Sequence, residues 1–236
     1  MKNNRLIVGT VVAGLFFFPV ANPVKSSTDI GSVYAEEKLS ASSPPAKLKA
    51  KLAEIDKRID ETPSAKLYAA KANVLVFLRS YSKALISINK SIQLSPNTGK
   101  YYGYRGLIYS ALGDVENTIN DLEKAKSLGC SDSDYLGLLA LAQGEKRDFK
   151  NALKNAETAL KLDPNDCSAL HARGLVYKER KDFQKALKDF NSAIENNKQL
   201  AEVYRDRAVV WERLGNKKNA QSDRLAAENL KSISKK

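Results

Sequence analysis

The sequence predicts an all-α fold: a right-handed α-solenoid of about five helix-turn-helix repeats with amino- and carboxy-terminal capping helices. The first observation is a 34-residue period that runs from Ala65 to Leu230 without an insertion. The second is that the eighth, twentieth and twenty-seventh positions of every period hold a small residue, which lets antiparallel helices approach closely. In that order of positions, the small residues are Ala72, Gly106, Ala140, Gly174 and Ala208; Ala84, Thr118, Ala152, Ala186 and Ala220; and Ser91, Ala125, Ala159, Ala193 and Ala227.

Large residues recur with the same period. The fourth positions are Tyr68, Tyr102, Leu136, Leu170 and Tyr204, and the eleventh are Leu75, Tyr109, Gln143, Tyr177 and Trp211. The most regular stretch runs from Tyr135 to Pro164 and includes Arg147-Asp148-Phe149. On these residues the chain resembles the tetratricopeptide repeat family over five periods of 34, or 170 of its 236 residues. The resemblance implies a fold and a role in protein binding, but it does not name a partner.

Residues 1–35 are predicted to be a signal peptide, or an amino-terminal membrane anchor, with the c-region that follows it. Lys2 and Arg5 precede an apolar run from Leu6 to Val20, which is typical of a secretory signal. The sequence ending at Ala35 satisfies the small-residue rule for cleavage, while an uncleaved inner-membrane anchor through residues 6–20 remains an alternative. We therefore expect an exported protein of the bacterial cell envelope, in the periplasm or at the outer face of the inner membrane.

The remaining segments follow in chain order. Residues 36–45 are rich in Ser and Pro and are predicted to be a flexible linker. Residues 46–62 carry apolar side chains at three- and four-residue intervals and are predicted to form a capping helix. The repeats are assigned to residues 65–98, 99–132, 133–166, 167–200 and 201–232, the last with the carboxy-terminal cap, and residues 233–236 form a basic tail.

The third repeat departs most from the pattern. Gly144 predicts that its first helix ends early, because glycine is unfavourable within a helix. Gln143 and Ala156 stand where larger apolar residues are usual. These substitutions predict that the third repeat is the least well packed of the five.

Arginine occurs at the seventh position only in repeats that have aspartate at the twenty-third. This pattern predicts ion pairs between the two helices of one repeat, in bidentate geometry. The third repeat has Leu139 and Asn155 instead, so no charge is left unpaired there. The predicted structural pairs are Arg105 with Asp121, Arg173 with Asp189, and Arg207 with Asp223.

The resemblance also implies where a partner would bind. In the family, the first helix of each repeat lines a concave groove through its second, fifth, ninth, twelfth and thirteenth residues. Here such positions are small or aliphatic near the second and third repeats and charged at the far end, which suits an extended peptide or a helix with apolar anchors. The alternative is that the aliphatic residues are packed core. The predicted groove residues are Asn73, Phe77, Gly103, Leu107, Gly137, Leu141, His171, Leu175, Lys178, Arg205 and Val209.

Enzymatic activity is not expected, because the chain offers little material for catalysis. His171 is the only histidine, and neither Cys130 nor Cys167 has a neighbouring base that would activate it. The two cysteines are one repeat apart, which favours free thiols over a disulfide. We predict no catalytic residues, no metal site and no cofactor.

The predicted function is that of a scaffold or adaptor that binds a peptide or helix of another protein in the concave groove. The alternative is a structural assembly subunit that self-associates, as a homo-oligomer, or docks through its convex face and its ends. The net charge of +12 favours acidic partners or an anionic membrane surface. Nucleic acid is not expected as a partner, since export would separate the protein from it.

Overall fold

The computed structural model describes residues 43–233. The predicted signal or anchor, most of the linker and the last residues of the tail lie outside this range. Within it the chain forms eleven helices and no strand. They are α1 (Pro45–Glu61), α2 (Ala65–Phe77), α3 (Tyr81–Leu94), α4 (Gly99–Ala111), α5 (Val115–Ser127), α6 (Ser133–Glu145), α7 (Phe149–Leu162), α8 (Cys167–Glu179), α9 (Phe183–Asn196), α10 (Ala201–Arg213) and α11 (Lys217–Ile233).

The helices pack as successive antiparallel pairs, which confirms the predicted all-α solenoid. Helices α2 and α3 form the first pair, and α10 and α11 form the fifth. Each pair also packs on the next one through its second helix. Helix α1 covers α2 at the amino-terminal end, where Leu48 and Ile55 are buried against Ala70 and Val74. A helical pair cannot bury its apolar faces alone, and stacking supplies the missing partner.

The turn inside each repeat contains one residue with a left-handed backbone. Gly113 and Gly215 have φ of 78°, a conformation that glycine adopts freely. The other repeats place Arg79, Arg147 and Lys181 there, with φ between 55° and 63°. In the second, third and fourth repeats an aspartate follows and caps the second helix by accepting a hydrogen bond from a backbone N–H. The pair of residues thus fixes both the reversal of the chain and the start of the next helix.

The eighth position sets how closely the two helices of a repeat approach. A Cβ on Gly174 would lie 2.5 Å from Cε1 of Phe190, and one on Gly106 would lie 2.9 Å from Cγ of Leu122. In the second and fourth repeats, glycine at the eighth position therefore leaves room for the large twenty-fourth residues Leu122 and Phe190. In the third repeat that residue is Ala156, and the eighth residue is alanine.

The third repeat is packed as fully as its neighbours. The early end predicted from Gly144 is wrong, because α6 continues to Glu145 and is 13 residues long, like α4 and α8. Gln143 accepts a buried hydrogen bond of 2.7 Å from the side chain of Asn155. Polar side chains therefore fill the space that the pattern assigned to apolar groups. The weak packing predicted for this repeat is not observed.

The three Arg–Asp pairs form between the two helices of their repeats. Nε and one terminal nitrogen of each arginine donate to the two carboxylate oxygens, at distances between 2.7 and 2.9 Å. The aspartates are buried, and the arginines keep a minor part of their surface exposed. The pairs are Arg105–Asp121, Arg173–Asp189 and Arg207–Asp223.

These pairs extend into links between repeats. Arg105 also donates to Asn89 of the preceding repeat at 2.8 Å, and Arg207 donates to Asn191 in the same way at 2.7 Å. Gln143 makes the corresponding bond to Glu123. At three of the four junctions between repeats, the twenty-fifth position thus accepts a hydrogen bond from the repeat that follows. In the fifth repeat this position is Leu225, which is 50% exposed.

Both cysteines are buried free thiols. Burial raises the pKa of Cys130 and the pKa of Cys167 to about 12, so both remain protonated at neutral pH. No helix within residues 43–233 is long and apolar enough to cross a membrane.

Candidate functional site

The first helices of neighbouring repeats lie side by side along one face of the solenoid. Helix α4 contacts α6, α6 contacts α8, and α8 contacts α10. Such direct packing between first helices draws them together on one side of the array, and the curvature of a solenoid follows from such small offsets between repeats. We call this side the groove.

The structure divides the predicted groove residues by their accessibility. Val209 is 40% exposed. The half-buried ones are Asn73, Phe77, Leu107, Leu175, Lys178 and Arg205, and the buried ones are Gly103, Gly137, Leu141 and His171.

Tyr104, Leu107 and Tyr135 form the apolar part of the groove, between the second and third repeats. A Cβ on Gly103 would lie 2.5 Å from Cε2 of Tyr135, so glycine allows this ring to lie directly on α4. Leu107 and Tyr135 pack against the same core cluster, which includes Leu122. All three side chains are half-buried, which leaves part of each available on the surface.

Closer to the carboxy terminus, between the third and fourth repeats, packed side chains of α6 and α8 fill the groove. Leu141 is only 3% exposed and belongs to a core cluster with Ala169 and Ala172 of α8. A Cβ on Gly137 would clash with the side chain of Asp166 at the start of α8. The alternative interpretation, that the aliphatic residues are core, therefore describes Leu141.

Phe77 lies at the amino-terminal end, where it packs against the cluster formed by α1 and α2. A salt bridge of 2.6 Å between Lys71 and Asp56 also joins these two helices. Leu175 packs on the edges of two core clusters. Phe77 and Leu175 therefore contribute to packing as well as to the groove surface.

Charged side chains from the third, fourth and fifth repeats converge at the carboxy-terminal part of the groove. His171 donates from Nε2 to Asp206 Oδ2 at 2.8 Å, and Lys178 donates to Asp206 Oδ1 at 2.6 Å. Burial alone would raise the pKa of Asp206, but these two hydrogen bonds and charges hold it below its usual value. Asp206 is therefore a charged acceptor with both oxygens occupied.

Two further carboxylates belong to this cluster. Glu202 is buried and accepts a hydrogen bond from Arg205 on one oxygen, while its other oxygen, Oε1, is buried without a partner. Burial, and after it the negative charges of Asp206 and Glu202, raise the pKa of Glu145, at the end of α6, to about 7. We call Glu145, Glu202 and Asp206 the acidic cluster.

Some groove residues that were not predicted lie at repeat positions from which the sequence could have identified them. Glu145 is a thirteenth residue and Glu202 a second residue, positions that the resemblance already assigns to the groove. Tyr104, Tyr135 and Asp206 lie at third and sixth positions, outside that set. Their role arises from the contacts between first helices, which a single repeat does not reveal.

Comparison with known protein families identifies repeats in this chain. One family model described as tetratricopeptide repeat matches residues 65–98 and 133–166, and a second model of the same description matches residues 155–188. The first two matched segments coincide with complete 34-residue periods. No curated protein sequence matches the chain.

Several solved structures share the fold. YrrB, described as a TPR protein with an unusual peptide-binding site, is 22% identical with a TM-score of 0.56, over 75% of this chain and 91% of YrrB. MamA from Desulfovibrio magneticus RS-1 is 18% identical with a TM-score of 0.56, over 72% of this chain and 96% of that one. A tetratricopeptide repeat protein from Parabacteroides merdae ATCC 43184 is 15% identical with a TM-score of 0.62, over 82% and 74% of the two chains.

Proposed function

Because this chain belongs to the tetratricopeptide repeat family, we propose that it is a scaffold or adaptor that binds a peptide or helical segment of a partner protein in the groove. It would hold the partner without acting on it chemically. Repeat solenoids present an extended inner surface for such binding. The peptide-binding site described for YrrB, which shares the fold, is consistent with this role.

The surface formed by Tyr104, Leu107 and Tyr135 is the observation that carries this proposal. It combines aromatic and aliphatic side chains on the inner side of the solenoid, and each of them is only half-buried. Aromatic side chains contribute large apolar area together with a polar tip, which suits them to protein interfaces. Part of this apolar surface is in contact with water. An apolar side chain of a partner would bury that area by packing on it, which favours binding.

Selective crosslinking in intact cells tests the proposal. Leu107→Gln keeps a side chain of similar length and a residue that favours helix, but removes the apolar contact. Ile86→Gln is the matched control, because Ile86 is 71% exposed on α3, a second helix. Circular dichroism establishes first that both variants fold. Leu141 is unsuitable for such a test, since a polar side chain there would disturb the packing between α6 and α8.

We expect a partner that crosslinks to wild type and to Ile86→Gln but is lost with Leu107→Gln. If Leu107→Gln captures the same proteins as wild type, binding in the groove is wrong. Loss of capture with Ile86→Gln alone would favour the assembly subunit that docks through its convex face.

We also propose that the protein acts in the bacterial cell envelope. The support is the amino-terminal sequence: Lys2 and Arg5 followed by the apolar run from Leu6 to Val20. Fractionation of cells and amino-terminal sequencing of the mature protein test this. A start at Glu36 would indicate a cleaved signal, an intact terminus in the membrane fraction would indicate an anchor, and an intact protein in the cytosol would contradict export.

A further inference from the structure

We propose that one edge of the solenoid binds the surface of an anionic phospholipid membrane. The edge is formed by the turns that join the two helices of the third, fourth and fifth repeats, and we call it the basic edge. It comprises residues 146–151, 180–185 and 214–219. This inference goes beyond the proposed function, because these turns lie at the ends of the helices rather than on the side that forms the groove.

Contacts between neighbouring turns make this edge continuous. Nζ of Lys146, in the turn of the third repeat, lies 2.6 Å from the carboxylate of Glu116, which follows the turn of the second repeat. Arg147 lies 3.4 Å from the carboxylate of Glu179, which precedes the turn of the fourth repeat. Helices α8 and α10 contact each other and are both 13 residues long, so the turns that follow them are neighbours as well.

The basic edge has a local excess of positive charge. It carries eight lysines and arginines against two aspartates, and both aspartates cap helices. The corresponding residues of the first two repeats, 78–83 and 112–117, carry two cations and two carboxylates. The excess is therefore confined to three repeats and does not simply reflect a lysine-rich chain.

Most of these cations have no carboxylate of their own. Three of the eight, Lys146, Arg147 and Lys185, are each paired with one carboxylate. The other five form no ion pair within residues 43–233 and are exposed; they are Lys150, Arg180, Lys181, Lys217 and Lys218. A row of hydrated cations produces a positive potential along the edge, which attracts an anionic surface.

The opposite edge of the solenoid has the opposite charge. The connections on either side of the third repeat, residues 128–134 and 162–168, hold four aspartates and no lysine or arginine. These connections lie at the other ends of the same helices, so positive and negative charge are separated along the helix axes. An anionic surface is therefore attracted at the basic edge and repelled at the other, which orients the protein.

An exposed leucine lies within the basic edge. Leu214 is 40% exposed, directly follows Arg213, and is close in sequence to Lys217 and Lys218. Attachment to an anionic bilayer is strengthened both by apolar area that enters the boundary with the acyl chains and by cations that remain at the phosphates. The turn of the fifth repeat offers both kinds of group side by side.

A second copy of this chain is a poorer occupant than a membrane. Each copy carries a net charge of +12, so two copies repel each other as whole molecules although their edges differ in sign. An acidic segment of a protein offers a few carboxylates in fixed places, whereas the unpaired cations are long side chains spread over three repeats. A bilayer supplies phosphates at any spacing, which suits this arrangement.

Flotation with phospholipid vesicles tests the proposal. The protein is purified with the amino terminus that cells leave on it. Its partition is measured on vesicles of phosphatidylglycerol and phosphatidylethanolamine in equal amounts, and on vesicles of phosphatidylcholine alone. The ratio of the two partition coefficients isolates the contribution of lipid charge, whatever the amino terminus contributes.

Two variants with the same net charge are compared. The edge variant combines Lys150→Gln, Lys181→Gln, Lys217→Gln and Lys218→Gln, all at exposed positions. The control variant combines Lys90→Gln, Lys124→Gln, Lys161→Gln and Lys198→Gln, which are exposed lysines outside the basic edge. Glutamine keeps a long polar side chain that favours helix, and circular dichroism establishes that both variants fold.

We expect wild type to prefer the anionic vesicles, and added salt to weaken that preference by screening. Each basic side chain at an anionic surface strengthens binding about fivefold, so the edge variant should lose about a hundredfold or more of the ratio. The control variant should stay close to wild type.

Leu214→Gln tests the apolar contribution separately. It should weaken binding to the anionic vesicles about threefold, because the leucine no longer enters the bilayer boundary. Leu112→Gln is the matched control. Leu112 is 47% exposed at the same position of the second repeat, outside the basic edge, and its replacement should leave binding unchanged.

Three results would overturn the inference. Wild type that partitions equally onto anionic and neutral vesicles would show that lipid charge is not recognised. Equal losses in the edge and control variants would assign binding to net charge rather than to this edge. A protein that ignores vesicles, but loses a crosslinked partner in cells with the edge variant, would have an acidic protein as its occupant. The groove proposal stands or fails separately, with Leu107→Gln.

Discussion

The ring of Phe190 occupies the space into which a side chain on Gly174 would project. A Cβ built on Gly174 lies 2.5 Å from one ring carbon and 2.7 Å from the next, well inside van der Waals contact. Phe190 is completely buried, so the ring has nowhere to move. The fourth repeat therefore needs glycine at this position, whereas the third repeat, with Ala156 opposite, accommodates Ala140.

Gly174→Ala should accordingly destabilise the protein by about 1–3 kcal/mol, the usual cost of overpacking. Urea denaturation followed by circular dichroism measures this. The double variant Gly174→Ala/Phe190→Leu should be more stable than the sum of the single changes, because the smaller side chain relieves the clash. Strictly additive effects would show that the two residues do not compete for space.

Asp189→Ala should cost about 3 kcal/mol of unfolding free energy, since it leaves the arginine of a largely buried pair without a partner. The Asp189 side chain is 4% exposed and that of Arg173 is 26% exposed. Glu116→Ala is the comparison, because its ion pair with Lys146 is on the surface and should contribute less than about 1 kcal/mol. Equal effects of the two substitutions, measured by urea denaturation, would contradict a structural role for the pair.

Lys181→Gly should stabilise the protein by about 0.5–1 kcal/mol. Lys181 has φ of 62° in the turn between α8 and α9, a conformation that costs a residue with a Cβ about 1 kcal/mol or more. Part of this gain is offset by the greater freedom of glycine in the unfolded chain. Gly113→Ala, at the same turn position of the second repeat, should have the opposite effect. Thermal unfolding of both variants checks the sign.

The stability of the fourth repeat should decrease as the pH rises from about 4 to 7. Burial raises the pKa of Asp166 from 3.8 to about 7. Between these values the unfolded chain releases the proton while the folded protein keeps it. The stabilisation is therefore complete below the lower value and is lost as the pH passes the upper one, with a slope of about 1.4 kcal/mol per pH unit.

Asp166→Asn tests this pH dependence, because asparagine stays neutral and still caps a helix. The side chain of Asp166 accepts a hydrogen bond of 2.7 Å from the N–H of Ala169, and asparagine retains an acceptor for it. Urea denaturation at several pH values should give a flatter profile for the variant. An unchanged slope would assign the effect to other groups, of which Glu145 is the first to examine.

The sequence predicts the fold well because the repeat supplies five independent samples of the same pattern. Any single small or aromatic residue is weak evidence, but helices that begin at Ala65, Gly99 and each later period reflect one shared geometry. The third repeat shows where this reasoning fails. Gln143 and Ala156 break the apolar pattern, yet a hydrogen bond from Asn155 and the close approach of α8 provide the packing.

The groove was less predictable than the fold. Position within a repeat shows which helix face points inward, but it does not show how closely the next first helix approaches. Leu107 and Leu141 occupy the same position, and only Leu141 is fully buried, because small residues on α8 bring that helix close. Asp206 of the fifth repeat accepts hydrogen bonds from His171 and Lys178 of the fourth, and no single repeat reveals such a contact.

The acceptor at the twenty-fifth position has a consequence for how the array stops. Asn89, Glu123 and Asn191 each receive a hydrogen bond from the repeat that follows, and Leu225 has nothing with which to receive one. If a further copy of the fifth repeat followed α11, its arginine at the seventh position would direct a terminal nitrogen at the apolar side chain of Leu225. The fifth repeat therefore ends without the acceptor that links three of the four repeat junctions, and a repeat added there would have to be held at this position by packing alone.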